Sequence, residues 1–236
     1  MAVPNVSSEL QQEFIKTQQE LLKKVNLKNN FLIGEIKLIA GVDLAYWNED
    51  NVDYAVCCIV IIDYVTKQVI EEVHHSDVVK VPYISGFLAF RELPLVLETV
   101  KKLKSKPDMF MFDGNGYLHY RHMGIATHAS IFLNKPTIGV AKNYLKIKDV
   151  DFIMPENREG AYTDIVIHDE VYGRALRSRK DVKPIFVSCG NWIDVDTTTE
   201  IVLHFIEKDS RLPLPTRFAD IYTHKVRKEM KSKKID

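Results

Sequence analysis

At 236 residues the chain has enough material for one globular α/β domain with a sizeable core. Basic and acidic side chains number 32 each, so bulk charge does not advertise a nucleic-acid partner, although a local basic stripe beside an acidic metal site stays open. No apolar run spans a membrane and no signal-peptide core opens the chain. The three cysteines, two of them adjacent, cannot make a disulfide framework, so a cytoplasmic, soluble monomer in a reducing compartment is expected.

Ser8-Glu9-Leu10-Gln11 has the form of a capping box, and Leu10, Phe14, Leu21 and Leu22 recur at helical spacing, predicting a helix to about Val25. Three strands follow over Ile36–Tyr46, Tyr54–Tyr64 and Gln68–Val78. The connections between them are short and polar, which makes this region an antiparallel meander. A helical stretch runs from Gly86, and Pro94 is placed in the first turn of a second helix reaching Lys104. Asp108–Asp113 and Thr137–Ala141 read as short buried strands on either side of a helix over Met123–Leu133. Ile165–Ile167 and Ile185–Val187 suggest further strands, Val195-Asp196-Thr197 starts a helix to about Ile206, and a last helix covers roughly Thr216–Met230. A meander followed by alternating strands and helices implies a single domain with a mixed sheet, antiparallel and parallel, and helices on both faces.

Three carboxylates stand out. Asp43 ends the run Gly41-Val42-Asp43, Asp113 ends Met109-Phe110-Met111-Phe112-Asp113, and Glu92 follows Gly86-Phe87-Leu88-Ala89-Phe90-Arg91. A carboxylate at the end of an apolar strand is costly unless paired, and converging carboxylates are the ligand set hard cations favour. Mg²⁺-assisted phosphodiester hydrolysis is the chemistry this pattern suggests.

Further strings occur in order: Pro82-Tyr83-Ile84, Asp113-Gly114-Asn115-Gly116 with His119 and Arg121, Pro136 to Lys142, Lys183-Pro184 with Val187-Ser188, and Pro215-Thr216-Arg217 with Ala219-Asp220. With these the chain resembles endonuclease V, the inosine-specific nuclease family with a ribonuclease H-like fold, from about Gly41 to Thr223. The resemblance implies a metal-dependent endonuclease cutting 3′ to inosine or deoxyinosine and leaving 5′-phosphate and 3′-hydroxyl ends, as in repair of deaminated adenine in DNA. It implies Mg²⁺, with Mn²⁺ as an alternative, held by Asp43, Glu92, Asp113 and Asp220, and Lys142 near the scissile phosphate. It also implies that Tyr83 wedges into the base stack and that Gly86, Leu88, Gly114, Gly116, His119 and Ile125 form the base pocket. The glycine backbone there would offer N–H donors to the hypoxanthine oxygen.

Ser85 and Tyr120 stand where many bacterial members carry proline, and this wording resembles eukaryotic members associated with inosine in RNA. Inosine-containing DNA and inosine-containing RNA are therefore both expected partners. A non-cleaving binding module of the same fold is the alternative from another class. It would have no use for converging negative charge facing phosphates. Lys225, Arg227, Lys228, Lys231, Lys233 and Lys234 form a basic tail that would either track phosphates or be a solvated helix end. Tyr46 and Trp47 read as half-buried edge aromatics or stacking groups, and Cys189 and His128 as packing residues.

Overall fold

The computed structural model describes residues 8–232. In chain order the elements are α1 (Ser8–Leu22), β1 (Leu38–Glu49), β2 (Val52–Asp63), β3 (Val69–Val78), α2 (Leu88–Val100), β4 (Met109–Asp113), α3 (Ile125–Leu133), β5 (Thr137–Ala141), β6 (Tyr162–Ile167), β7 (Glu170–Leu176), β8 (Ile185–Asn191), α4 (Val195–His204) and α5 (Leu214–Ser232). The strands form one eight-stranded sheet in the order β3-β2-β1-β4-β5-β8-β7-β6. β1, β4 and β5 run parallel and the other pairings are antiparallel. Among the described residues no helix is long and apolar enough to cross a membrane.

Side-chain alternation along the parallel strands divides the core. Ile39, Met109, Met111, Ile138 and Val140 face α4 and α5, packing with Phe205, Leu214 and Ala219. Ala40, Val42, Phe110 and Phe112 face α2 and α3, packing with Leu93, Val96 and Ala129. Both helical layers bury their apolar side chains on one sheet, so the sheet centre has no solvent face.

Several boundaries differ from the expectation. The stretch after Gly86 is one helix with Pro94 inside it, rather than two helices meeting at the proline. The ring removes the bond to the Phe90 carbonyl, a cost of about 3 kcal/mol. Burial of Leu93, Leu95 and Val96 on either side keeps the chain helical through it. The sequence predicts no strand where β7 forms. β7 pairs with β6 across His168 and Asp169, whose φ angles of 51° and 64° make the tight turn favoured between antiparallel strands. Neither residue is glycine, which hid the signal. The first helix stops at Leu22, short of Val25.

Gly41 decides where α5 can lie. A Cβ at this position would sit 1.9 Å from the Pro215 carbonyl oxygen. Only a glycine lets the first turn of α5 rest directly on β1. That contact brings the next turn of α5 alongside Asp43.

Candidate active site

Val42 pairs with Phe112 across two parallel strands, so Asp43 and Asp113 are the next residues on neighbouring chains. Asp113 in turn pairs with Val140, two residues before Lys142. The alternation that buries Ile39, Met111 and Val140 toward α5 directs Asp43, Asp113 and Lys142 the same way. Asp220 comes from α5 to meet them. Ligand oxygens of Asp43, Asp113 and Asp220 all lie within 4.8 Å of one another, a group able to hold a metal ion. β1 continues to Glu49, so Asp43 lies within a strand rather than at its end. What ends beside it is β4, and that opens the space into which the carboxylates project.

Lys142 Nζ bonds Asp113 Oδ2 at 2.6 Å and Asp220 Oδ1 at 2.8 Å. Burial works against its charge, yet these two carboxylates hold its pKa above the usual lysine range. Asp43 has no such partner. Burial, then the charge of Asp113, push it up to about 7, although Thr223 Oγ1 donates to its Oδ2 at 3.0 Å. Thr223 lies one turn after Asp220, and only the packing of α5 reveals its role.

Glu92 reaches the same edge from the opposite layer. It sits on α2, 7% exposed, and lies outside the three-carboxylate group. Tyr46 Oη donates to its Oε1 at 2.6 Å. Burial drives its pKa up to about 8, with Asp43 and Asp113 adding repulsion. Tyr46 is half-buried, as expected, and its hydroxyl is engaged by Glu92. Trp47, beside it, stacks on Tyr54 at 5.5 Å.

A cavity of about 100 Å³ opens near this edge, lined among others by Tyr83, Gly86, Leu88, His119 and Ile125. Four of the six residues expected in the base pocket thus share one recess with Tyr83, the expected wedge. Tyr83 is 64% exposed at its rim, which rules out a role as core filler. His119 is buried, and desolvation followed by the Arg121 charge lowers its pKa to about 3, so it is neutral. Its Nδ1 accepts from the Arg121 and Met123 amides.

Gly114 and Gly116 are not among the residues that line this recess. The Gly114 amide donates to the Val140 carbonyl and the Gly116 amide to Ser188 Oγ, so both donors are spent inside the fold. A Cβ on Gly116 would lie 2.2 Å from the Cys189 carbonyl oxygen, so this glycine serves close packing of the loop on β8. The residue between them lines the recess instead. Asn115 Oδ1 is shut off from solvent and has no hydrogen-bond partner among the described residues. In the sequence Asn115 is simply the residue between two glycines, and nothing in its spacing marks it.

A larger cleft of about 800 Å³ lies between β3, α2 and α3 and includes none of Asp43, Asp113 or Asp220. His128 stands edge-on to Phe90 at 4.9 Å, and all three cysteines are buried free thiols, as packing roles require. Lys225, Lys228 and Lys231 are exposed on α5, while Arg227 binds the Tyr46 carbonyl; Lys233 and Lys234 lie outside the described residues.

The family profile of Endonuclease V matches residues 19–221, a span that includes Asp43, Glu92, Asp113, Lys142 and Asp220. The chain belongs to the endonuclease V family. It is 68% identical over 219 residues to Endonuclease V of Bacillus thuringiensis subsp. konkukian (strain 97-27), covering 93% of each chain. The crystal structure of Endonuclease V from Bacillus subtilis superposes with a TM-score of 0.92 at 56% identity, covering 97% of this chain and 96% of that one. The mixed sheet is the ribonuclease H-like fold of these endonuclease V structures. A Ciona intestinalis Endonuclease V, solved with a 24mer DNA containing an inosine followed by a ribo-adenosine, superposes with a TM-score of 0.84 at 28% identity, covering 94% of this chain and 100% of that one. Ser85 and Tyr120 therefore do not ally the chain as a whole with the animal members: two positions were too few to carry that reading.

Proposed function

We propose that the protein is a divalent-metal-dependent endonuclease that hydrolyses the phosphodiester 3′ to a deaminated adenine, leaving 5′-phosphate and 3′-hydroxyl ends. The observation that carries this reading is the convergence of Asp43, Asp113 and Asp220 beside Lys142 in a member of this family. Every candidate ligand in the group is a carboxylate oxygen, the donor type that suits Mg²⁺ or Mn²⁺. Asp43, Asp113 and Asp220 would hold the ion, with Glu92 close at hand. Such an ion lowers the pKa of water and stabilises the charge on phosphoryl and leaving oxygens.

The protein's own groups do the rest. The Lys142 ammonium, paired with two carboxylates, is placed to neutralise a phosphate oxygen arriving between them. Tyr83, exposed at the recess, fills the stack vacated by a flipped base. Inside the recess Asn115 Oδ1 is an unpaired acceptor. Hypoxanthine presents an N1–H donor where adenine presents a lone pair, so adenine would leave this acceptor unsatisfied. Neutral His119 leaves the recess uncharged, which suits a neutral base.

A nicking assay decides the reading. Strands containing one inosine, all-deoxy or with one ribose 3′ to the lesion, and matched adenosine strands are incubated with Mg²⁺ or with chelator. Cutting confined to inosine strands and to Mg²⁺ is expected. Equal cutting of adenosine strands, or cutting in chelator, would overturn it, and the all-deoxy and ribose arms rank DNA against RNA as the polymer.

A further inference from the structure

Gln18 on α1 is 0% exposed, although it occupies a position one turn after Phe14 on the apolar stripe of a surface helix. Burying an amide is costly unless its hydrogen bonds are made. Its partners are Gly86 and Met123, which line the recess, and Arg121, two residues from each of the lining residues His119 and Met123. Nε2 donates to the Gly86 carbonyl at 3.1 Å and faces the Met123 carbonyl at 3.5 Å, across separations of 68 and 105 residues. Oε1 accepts from Arg121 Nε at 2.5 Å. The same guanidinium donates from NH2 to the Gly86 carbonyl at 2.7 Å and lies over the Phe87 ring at 4.3 Å.

Gly86 closes the turn that follows Tyr83. Its φ of +80° is one that other residues adopt with strain, and Phe87 N bonds back to the Ile84 carbonyl at 3.0 Å. Arg121 and Met123 belong to the loop on the opposite wall. Phe14 anchors the helix by stacking on Phe90 of α2 at 3.9 Å, so the amide has a rigid base. What this helix contributes is a polar pin between two loops that the sheet does not hold together.

We propose that Gln18, acting through Arg121, is a positioning residue that fixes the Tyr83–Phe87 turn against the 117–123 loop and so sets the width of the base recess. Its bearing on inosine selection rests on the function proposed above. The clamp itself is a statement about the two walls and is tested without catalysis.

Hydrogen exchange read by mass spectrometry on the full chain supplies that test. Gln18→Leu should raise exchange over residues 82–88 about tenfold or more, the scale of losing one buried hydrogen-bonded contact, and leave β4 unchanged. Gln18→Glu keeps the acceptor for Arg121 but loses the donor to the Gly86 and Met123 carbonyls, so it should recover only the part of the protection that runs through Arg121. Arg121→Lys keeps the charge but not the fork and should match Gln18→Leu, and the double variant should be no worse than either alone. Should Gln18→Leu fail to fold, Gln18→Glu and Arg121→Lys carry the test. In the nicking assay the inosine-to-adenosine ratio of kcat/KM should fall about tenfold in Gln18→Leu and Arg121→Lys while kcat on saturating inosine strands holds. Unchanged exchange in the turn, or additive losses in the double variant, would overturn the clamp. Raised exchange with unchanged discrimination would overturn its role in selection. A wild-type chain that cuts no inosine strand would instead overturn the proposed function, leaving the clamp to be judged by exchange.

Discussion

The carboxylate centre and the recess lie side by side but are made differently. Asp43 and Asp113 stand on neighbouring parallel strands and Lys142 directly follows the third, β5, so the sheet's hydrogen-bond register fixes their spacing. The walls of the recess are loops, and the pin between them is a buried glutamine from the first helix. The first region has little freedom to move without breaking the sheet. The second depends on a few polar contacts that one substitution can release. Rigid strands suit metal ligands, whose geometry tolerates little error, while loops suit a site that must admit a flipped base.

This comparison breaks most sharply at Asp43. Asp43→Ala should cut nicking about 10³-fold or more, because the charge stabilisation at the scissile phosphate is lost. Affinity for inosine strands, measured by fluorescence anisotropy in Ca²⁺ or chelator, should stay within about threefold, since the recess is built from other residues. A parallel collapse of affinity would mean that the two regions are one unit.

Tyr83→Ala probes the other region. Affinity for inosine in duplexes should fall by about tenfold to a hundredfold, the range for one lost base–aromatic contact. Single strands, which have no stack to refill, should lose less. Equal losses on both would make the exposed ring a simple stacking platform.

A third effect concerns the cost of assembling the acidic centre. Burial and the neighbouring Asp113 charge hold Asp43 at about 7, above the ordinary aspartate range. Below about pH 4 the folded and unfolded chains both keep this proton, and it has no effect on stability. Between there and about 7 the unfolded carboxyl ionises first, so the metal-free fold loses stability as pH rises. Asp43→Asn should therefore leave the metal-free Tm nearly unchanged at about pH 4 and raise it by a few degrees at about pH 8. Added Mg²⁺ at the higher pH should raise the wild-type Tm more than that of the variant. A variant less stable than wild type in metal-free buffer at the higher pH would contradict the assignment of repulsion to this site.

The smallest effect is at Tyr46. Its hydroxyl favours the ionised form of Glu92 against burial. Tyr46→Phe should shift the acidic limb of the pH–rate profile upward, by about one pH unit or less, with little change on the alkaline plateau. A shift downward would mean that Glu92 is not the group titrating there.

Much of this centre was legible in the chain. Apolar runs leading to Asp43 and Asp113 marked both as carboxylates delivered by strands of one sheet, and the structure makes those strands parallel neighbours. The meander, β4, β5 and α3 were visible because their apolar periods are strong and their turns polar. Composition and pattern by themselves determined a mixed α/β sheet with acidic residues at one edge. Only the tertiary structure decided which groups share that edge. Asp220 meets Asp43 because Gly41 has no Cβ to hold α5 away. Glu92 approaches from the opposite layer and is held by Tyr46, a residue whose spacing announced nothing. The amides of Gly114 and Gly116 meet the Val140 carbonyl and Ser188 Oγ, partners that only the packing of β5 and β8 supplies. Gln18 interrupts an apolar stripe, and a stripe records which face is buried, not what a polar residue on that face will meet. Periodicity encodes local geometry, whereas a hydrogen bond between residues 68 or 105 positions apart exists only once the layers have packed.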